Sequence, residues 1–267
     1  MAYNITLIGC GKMGGAMMLS WLSHDLVQHI NVIDPTPLNN ELMSDSRINY
    51  AAKYDGGKIT SDILILAVKP QILEKASKEI ANNLSNDTAL LSIAAGQSIS
   101  TLENIFGSDK AIIRTMPNTP ASIGKGISVS VANQNVTDRQ KDTAQKLLNA
   151  SGESLWIEDE GLIDCVTALS GSGPAYIFYL IEALAKAGEK TGLSNEMSVK
   201  LARQTVIGSA ALAEYDAGTS AATLRKNVTS PNGTTQAALD VLMDGRFQSI
   251  LDEALSAAKN RAKELNQ

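Results

Sequence analysis

A glycine-rich turn at residues 9–14, with the sequence GCGKMG, is the first stretch of the chain whose residue types and spacing could do chemistry. It follows a β-prone run at residues 5–8 and precedes a small, apolar, helix-prone run at residues 15–22. Glycines spaced G-x-G-x-x-G between a strand and a helix allow a tight turn, close approach of a pyrophosphate, and close packing of helix on strand. The free N–H groups at the start of the helix then face the phosphates. We therefore predict a dinucleotide-binding turn, the alternative being an ordinary strand-to-helix turn; the predicted contacts are Gly9, Cys10, Gly11, Lys12, Met13 and Gly14.

Asp34 is the second candidate, because it closes the next β-prone run, at residues 30–33. It lies about 20 residues after the glycine turn, where a carboxylate in this kind of unit accepts hydrogen bonds from the ribose hydroxyls of the dinucleotide. In the alternative interpretation, Asp34 only opens the Asp-Pro turn that follows it. A carboxylate there would repel a 2′-phosphate, and no Lys or Arg follows before Arg47. The sequence therefore favours NADH, or at least tolerance of NADH beside NADPH, with Thr36 of the same turn among the cofactor contacts.

Apolar β-prone runs alternate with helix-prone segments through the first part of the chain. Residues 63–68 are almost continuously apolar, as expected for a buried parallel strand. Two capping-box patterns predict helix starts, at residues 100–103 and 137–140. The alternation predicts an α/β fold with a doubly wound parallel sheet. Its further strands are expected at residues 89–93, 111–114 and 127–131.

The carboxyl ends of such strands are where a doubly wound sheet binds its ligands. Small or proline-containing loops follow three of the predicted strands, and small residues would let a nicotinamide ribose lie against the backbone. Lys69 either steadies phosphate or ribose oxygens or is an exposed lysine on a turn. The further cofactor contacts predicted here are Ala67, Val68, Lys69, Pro70, Ala94, Ala95 and Asn118.

Near residue 161 the strand patterns stop, and helix patterns rich in Ala, Leu and Gly continue to the end of the chain. The helix predicted at residues 196–217 is apolar over most of its circumference. Such a helix is buried on all sides, which in a small domain suggests burial against a second subunit. We predict two domains, residues 1–160 for the dinucleotide and an all-helical domain at residues 161–267.

A polar loop at residues 228–235, with the sequence VTSPNGTT, interrupts the apolar helical half. Pro231, Asn232 and Gly233 favour a turn, because Asn and Gly both tolerate a positive φ. A helix beginning at Thr234 or Thr235 would then gather free N–H groups and hydroxyls at a positive dipole end. This arrangement predicts a carboxylate receptor; ordinary helix capping plus a turn is the alternative.

Composition excludes several other classes of function. A net charge of −5 provides no basic surface for nucleic acid. Cys10 and Cys165 are the only cysteines, too few for a disulfide or metal framework, so no metal is predicted. The chain begins at once with a strand, leaving no room for a signal peptide, and no apolar run is long enough to span a bilayer. We expect a soluble cytoplasmic protein with no membrane partner.

Acid–base candidates are also scarce. His24 and His29, the only histidines, are not near a candidate catalytic carboxylate or a nucleophile motif, and only Tyr176 stands out as a possible proton donor or acceptor. Alcohol oxidation usually needs a general base. Reduction of a C=N bond does not, since an imine can arrive protonated and needs only to be positioned against the hydride donor.

The combined pattern resembles the Δ1-pyrroline-5-carboxylate reductase family, the last enzyme of proline biosynthesis, over essentially the whole chain. The resemblance rests on the glycine turn and on residues 67–70 (AVKP), 93–96 (IAAG), 114–120 (RTMPNTP), 169–176 (LSGSGPAY) and 228–235. It implies a Rossmann-like N-terminal domain and a helical C-terminal domain that forms a homodimer, which in many members assembles further into decamers. The implied reaction is reduction of (S)-1-pyrroline-5-carboxylate to L-proline with hydride from NADPH or NADH.

The resemblance also implies roles for residues of the 228–235 loop. The substrate carboxylate would rest on N–H groups and hydroxyls around Val228, Ser230, Gly233 and Thr234, and the catalytic residue Thr235 would hydrogen-bond the ring nitrogen. Two positions depart from the family pattern. Asn232 replaces a Gly, which requires a left-handed conformation there, and Asp34 replaces a small or hydroxyl residue of many relatives.

Two alternatives stay open at this point. A β-hydroxyacid dehydrogenase has a similar domain pairing, but Ile177 occupies the position of its catalytic lysine. A non-catalytic dinucleotide-binding protein would have no use for the 228–235 loop.

Overall fold

The computed structural model describes residues 2–265, so Met1, Asn266 and Gln267 at the ends of the two predicted domains lie outside the described residues. Eight strands of the described chain form one sheet. They are β1 (Tyr3–Ile8), β2 (Val27–Ile33), β3 (Ile48–Ala51), β4 (Ile63–Leu66), β5 (Ala89–Ser92), β6 (Ile112–Met116), β7 (Gly126–Ala132) and β8 (Gly152–Trp156). The α-helices of residues 2–265 are α1 (Lys12–Ser23), α2 (Asn40–Met43), α3 (Pro70–Ile80), α4 (Ile99–Phe106), α5 (Asp138–Asn149), α6 (Ile163–Val166), α7 (Gly173–Lys190), α8 (Asn195–Tyr215), α9 (Ala221–Asn227), α10 (Thr234–Leu242) and α11 (Arg246–Leu265).

The sheet has the strand order β3-β2-β1-β4-β5-β6-β7-β8 and is parallel except where β7 pairs antiparallel with β6. This confirms the predicted Rossmann-like, doubly wound architecture, with one difference at its far edge. The connection from β6 to β7 contains only a short 3₁₀ turn, Thr119–Ile123. A parallel crossover needs a dozen or more residues, so β7 turns back, and β8 pairs parallel to β7.

Two apolar layers enclose the sheet, because residues of the central strands alternate between its faces. On one face, Ile63 and Ile65 of β4 belong to the cluster that includes Trp21 of α1 and Leu147 of α5. The indole N–H of Trp21 donates to the carbonyl of Leu147 at 2.8 Å. On the other face, β4 packs with α3 and α4. A strand buried on both faces explains the continuous apolar run seen in the sequence.

Local differences from the sequence prediction concern caps and short strands. The capping box expected at residues 100–103 is wrong: α4 begins at Ile99, and the hydroxyl of Ser98 accepts the N–H of Thr101 at 3.1 Å. Ser98 has the extended backbone that an N-cap requires, whereas Ser100 is already helical. The capping box at Thr137 is confirmed, with both of its hydrogen bonds present.

The described chain divides into two compact units. The sheet unit comprises residues 2–172 and 258–265, and the helical unit comprises residues 173–257. Residues 161–172, which lie beyond the change in sequence texture, belong to the sheet unit, and Ile163 is fully buried in its core. Among the described helices, none combines the length and apolar character needed to cross a membrane.

Candidate active site

The glycine turn of the sheet unit has the geometry that its spacing predicts. Gly9 has a φ of +91°, and a Cβ there would lie 2.8 Å from the carbonyl oxygen of Ala67. A Cβ at Gly14 would lie 2.4 Å from the Gly9 oxygen and 2.9 Å from the Ala67 Cβ, so α1 packs directly on the strands. A Cβ at Gly11 would meet no atom within 4 Å, so the space over Gly11 is open to a ligand.

Helix α1 presents its start to that open space. Gly11 is its N-cap and has no side chain to cap the first N–H groups, and the first turn contains no acidic residue. The exposed Lys12 adds a positive charge at the same end. The residues present therefore fit a dinucleotide pyrophosphate, since uncapped N–H groups and the positive dipole end favour an anion.

Asp34 lies beside the glycine turn, at the carboxyl end of β2. Its Oδ2 accepts the N–H of Cys10 at 2.6 Å, and its Oδ1 accepts the N–H of Thr36 at 2.7 Å. The hydroxyl of Tyr50 donates to the Asp34 carbonyl at 2.9 Å, which holds the turn from the neighbouring strand. The carboxylate is therefore fixed in orientation, and Cys10, Asp34 and Thr36 are brought together as the sequence predicts.

Cys10 has a thiol that stays protonated near neutral pH. Burial, and secondarily the negative charge of Asp34, raise the pKa of the Cys10 thiol to about 11. Because the thiolate is the reactive form of cysteine, the glycine turn contains a binding element and no nucleophile.

The loops after β4 and β5 are neighbours, as the N–H of Ile93 donates to the carbonyl of Leu66 at 3.0 Å. Ala67 and Val68 are partly buried against Gly9, whereas Lys69 and Pro70 are exposed at the start of α3. After β5, Ala94 is buried and Ala95 is exposed. The sheet unit thus gathers the predicted residues of these two loops at the carboxyl edge of the strands, beside the glycine turn.

Asn118, also predicted as a cofactor contact, is buried just after β6. Its Oδ1 accepts the N–H of Ile127 at 2.9 Å, and its Nδ2 donates to the carbonyl of Ser170 at 3.2 Å. Both ends of this carboxamide are therefore engaged within the sheet unit.

The 228–235 loop of the helical unit forms the predicted turn. Asn232 has a φ of +57°, the left-handed conformation that its replacement of Gly requires, and the N–H of Gly233 donates to the Ser230 carbonyl at 3.0 Å. Helix α10 begins at Thr234 with Gly233 as N-cap and no side-chain cap. Its first turn contains no acidic residue, and Ser230 and Thr234 are exposed. The start of α10 therefore presents N–H groups and hydroxyls to an anion.

Sequence reasoning missed a buried ion pair in the sheet unit. Arg114 of β6, with its side chain only 5% exposed, donates from Nη1 to Oε1 of Glu160 at 2.7 Å. The same oxygen accepts the N–H of Ile99 at 2.8 Å, at the start of α4. An arginine inside an apolar strand was the available signal, because a buried charge requires a partner. The described residues contain no group of three or more His, Cys, Asp or Glu side chains placed to hold a metal ion.

Comparison with known proteins covers the whole chain. Residues 160–265 match the family model described as "Pyrroline-5-carboxylate reductase dimerisation". Residues 4–96 match the family model described as "NADP oxidoreductase coenzyme F420-dependent". Pyrroline-5-carboxylate reductase of Pseudomonas aeruginosa is 37% identical over 264 residues, which cover 98% of this chain and 96% of the relative. The solved pyrroline-5-carboxylate reductase of Coxiella burnetii is 35% identical, with a TM-score of 0.93 and full coverage of both chains.

A second solved relative carries a ligand. The Plasmodium falciparum pyrroline carboxylate reductase with NADP bound is 30% identical, with a TM-score of 0.82 over 99% of this chain and 98% of the other. Sequence identity of this level along essentially the full length is sufficient to assign the chain to a family. It belongs to the pyrroline-5-carboxylate reductase family.

Proposed function

We propose that this chain reduces (S)-1-pyrroline-5-carboxylate to L-proline with NADPH or NADH, the last step of proline biosynthesis. The observation that carries the proposal is the loop at residues 228–235, in which a left-handed Asn232 leads into the uncapped start of α10. A protein that only bound a dinucleotide would not need this second anion receptor. Membership of the reductase family supports the same reaction.

In the sheet unit, the glycine turn and the start of α1 hold the pyrophosphate, and Asp34 accepts the ribose hydroxyls. The loops at residues 67–70 and 94–95 line the nicotinamide end. When bound, the reduced nicotinamide supplies the hydride. The protein contributes no nucleophile here, since the Cys10 thiol is protonated.

In the helical unit, the substrate carboxylate rests on the N–H groups at the start of α10, near Val228, Ser230, Gly233 and Thr234. The hydroxyl of Thr235 bonds the ring nitrogen and fixes the orientation of the C=N bond. A protonated imine needs no general base, so the residues act by orienting the substrate rather than by proton transfer at carbon.

Thr235→Ala tests the assignment. Loss of a hydrogen bond to a charged nitrogen lowers kcat/KM for pyrroline-5-carboxylate by roughly tenfold to a hundredfold. Thr229→Ala is the matched control, because the Thr229 hydroxyl donates to the Arg225 carbonyl of α9 at 2.7 Å and is therefore already used within the protein. This control should retain nearly all activity. Unchanged kcat/KM in Thr235→Ala would contradict the catalytic assignment.

We also propose that the site prefers NADH, or at least tolerates it beside NADPH, because the Asp34 carboxylate is fixed beside the glycine turn and its charge would repel a 2′-phosphate. Its bonds to the N–H groups of Cys10 and Thr36 hold the negative charge in place. In Asp34→Ser, the ratio of kcat/KM for NADPH to that for NADH should rise about tenfold, the equivalent of about 1.4 kcal/mol. An unchanged ratio would count against the proposed preference.

The β-hydroxyacid dehydrogenase alternative lacks its acid–base residue, as Ile177 stands at the lysine position. Oxidation of NADH only when pyrroline-5-carboxylate is present would exclude a purely dinucleotide-binding role. We propose a homodimer formed through the helical domain at residues 161–267, with residues 1–160 as the dinucleotide domain. Assembly to a decamer and a cytoplasmic location stay predictions.

A further inference from the structure

The side chain of Asn118 does not form the hydrogen bond that is usual for an Asn at its position in the chain. It is the N-cap residue of the 3₁₀ turn Thr119–Ile123, where an Asn ordinarily accepts an N–H of the turn that it precedes. The Asn118 side chain caps none of these groups. Its two bonds, to the N–H of Ile127 and the carbonyl of Ser170, reach other parts of the chain instead. The buried carboxamide therefore acts as a bridge.

The Ser170 end of this bridge is a π-helical turn, Thr167–Gly171. The N–H of Ser172 donates to the Thr167 carbonyl, five residues earlier, at 2.8 Å. The hydroxyls of Thr167 and Ser170 each donate to a carbonyl four residues earlier. A widened turn of this kind is rare and occurs mostly at functional sites. These two hydroxyls bond carbonyls of the preceding helix α6, whereas the Asn118 amide bonds the Ser170 carbonyl of the turn itself.

The turn also lies at a particular place in the chain. A Cβ added at Gly171 would be 3.4 Å from Sδ of Met116, so the turn packs against the carboxyl end of β6. The chain leaves the sheet unit at Ser172, and α7 begins at the next residue. Asn118 thus joins two parts of the sheet unit, the carboxyl end of β6 at the ligand-binding edge and the π-helical turn.

We propose that Asn118 is a positioning residue whose bridge fixes the π-helical turn Thr167–Gly171 against the carboxyl end of β6. The proposal rests on the reductase function proposed above. The contact with the dinucleotide that the sequence predicts for Asn118 stays a prediction beside this role, because a carboxamide has a second N–H and a second lone pair.

Asn118→Asp is the informative variant. It keeps the size of the side chain and the acceptor for the Ile127 N–H, but near neutral pH it places a carboxylate oxygen against the Ser170 carbonyl. We expect kcat/KM for pyrroline-5-carboxylate to fall about tenfold at about pH 8. As the pH falls, the protonated acid can donate to that carbonyl, so the ratio of variant to wild-type kcat/KM should rise. Using this ratio at each pH cancels titration of the substrate.

Asn133→Asp is the matched control. Its carboxamide forms a bridge at the amino end of β6, accepting the N–H of Ile112 at 3.1 Å and donating to the Lys110 carbonyl and to Oε1 of Glu103, each at 2.9 Å. This variant should lose stability, yet its activity relative to wild type should not change with pH. Hydrogen exchange across residues 163–172, measured without substrate, should accelerate in Asn118→Asp only.

The outcomes separate the two proposals. Faster exchange with a pH-dependent activity ratio and an NADH dissociation constant within about twofold of wild type supports positioning. A flat ratio near one, unchanged exchange, or a weaker NADH affinity that accounts for the whole loss overturns it. If wild type does not turn over pyrroline-5-carboxylate, the proposed function fails, and positioning for that reaction falls with it even where exchange accelerates.

Discussion

The sheet unit and the helical unit differ in how much apolar surface each one buries. In the sheet unit, residues from every central strand and from α1, α3, α4 and α5 are fully buried in two clusters. In the helical unit, the buried hydrophobic residues are only Ala185 and Ala202, and both are small. Large apolar side chains of the same unit remain exposed, among them Phe178, Leu201, Ile207, Leu212 and Ile250.

The difference indicates two sources of stability. Large exposed apolar patches on a protein usually mark contacts with other proteins, and this unit exposes many large apolar side chains. The sheet unit has a complete core within one chain. The helical unit leaves large apolar side chains exposed, and it matches a family model whose description is dimerisation, which supports oligomerisation. The following substitutions test this contrast.

The largest effect is expected at Ile207 on α8, which is 51% exposed. Ile207→Asp places a charge on the proposed contact surface of both copies, and we expect the dimer dissociation constant to rise roughly a hundredfold, about 3 kcal/mol. Ile72→Asp is the matched control, since Ile72 is 50% exposed but lies on α3 of the sheet unit. Size-exclusion chromatography with light scattering should show dissociation of the dimer only for Ile207→Asp. Equal dissociation of the two variants would contradict the proposed difference between the helical unit and the sheet unit.

A smaller effect, independent of protein concentration, is expected within the sheet unit. Gly14→Ala forces a methyl group to within 2.4 Å of the Gly9 carbonyl oxygen, and overpacking of this kind destabilises by about 2 kcal/mol. Gly11→Ala is the control, because its methyl group would meet no protein atom within 4 Å. Urea unfolding should show a loss for Gly14→Ala alone, whereas NADH titration should show weaker binding for both. A destabilised Gly11→Ala would refute the open space over that residue.

The sheet unit was also the part of the fold most open to prediction. Continuous apolar runs identify buried parallel strands such as β4, and the glycine spacing identifies the turn before α1, because both signals are local. Strands β3 and β8 are only partly buried, so their sequences contain no comparable run. The reversal of β7 depends on the length of its connection to β6, and the division after Ser172 depends on packing between distant segments.

Prediction of the candidate site shows the same limit. The turn at Asn232 and the helix start at Thr234 follow from local residue preferences, and both are present. The sequence indicates that Asp34 and Cys10 lie near each other, but it does not indicate that they are hydrogen-bonded. The pairing of Arg114 with Glu160, and the two bonds of the Asn118 carboxamide, join residues far apart in sequence. No periodicity or spacing reports such contacts, because they arise only when the sheet assembles.

A third effect concerns the thiol of Cys10, which the sheet unit should keep unreactive without any partner subunit. With its pKa raised from 9.0 to about 11, the thiolate fraction at about pH 8 falls roughly a hundredfold, and alkylation by iodoacetamide slows accordingly. The alkylation rate is measured in Cys165→Ser, where Cys10 is the only cysteine. In urea this rate should return to that of an ordinary thiol.

The folded state holds the proton of the Cys10 thiol more tightly than the unfolded state does. Its contribution to stability is therefore complete below pH 9 and is lost as the pH rises towards about 11. Because burial outweighs Asp34 as the cause, Asp34→Asn should accelerate alkylation only a few-fold; a return to the ordinary rate in that variant would show that charge, and not burial, protects the thiol.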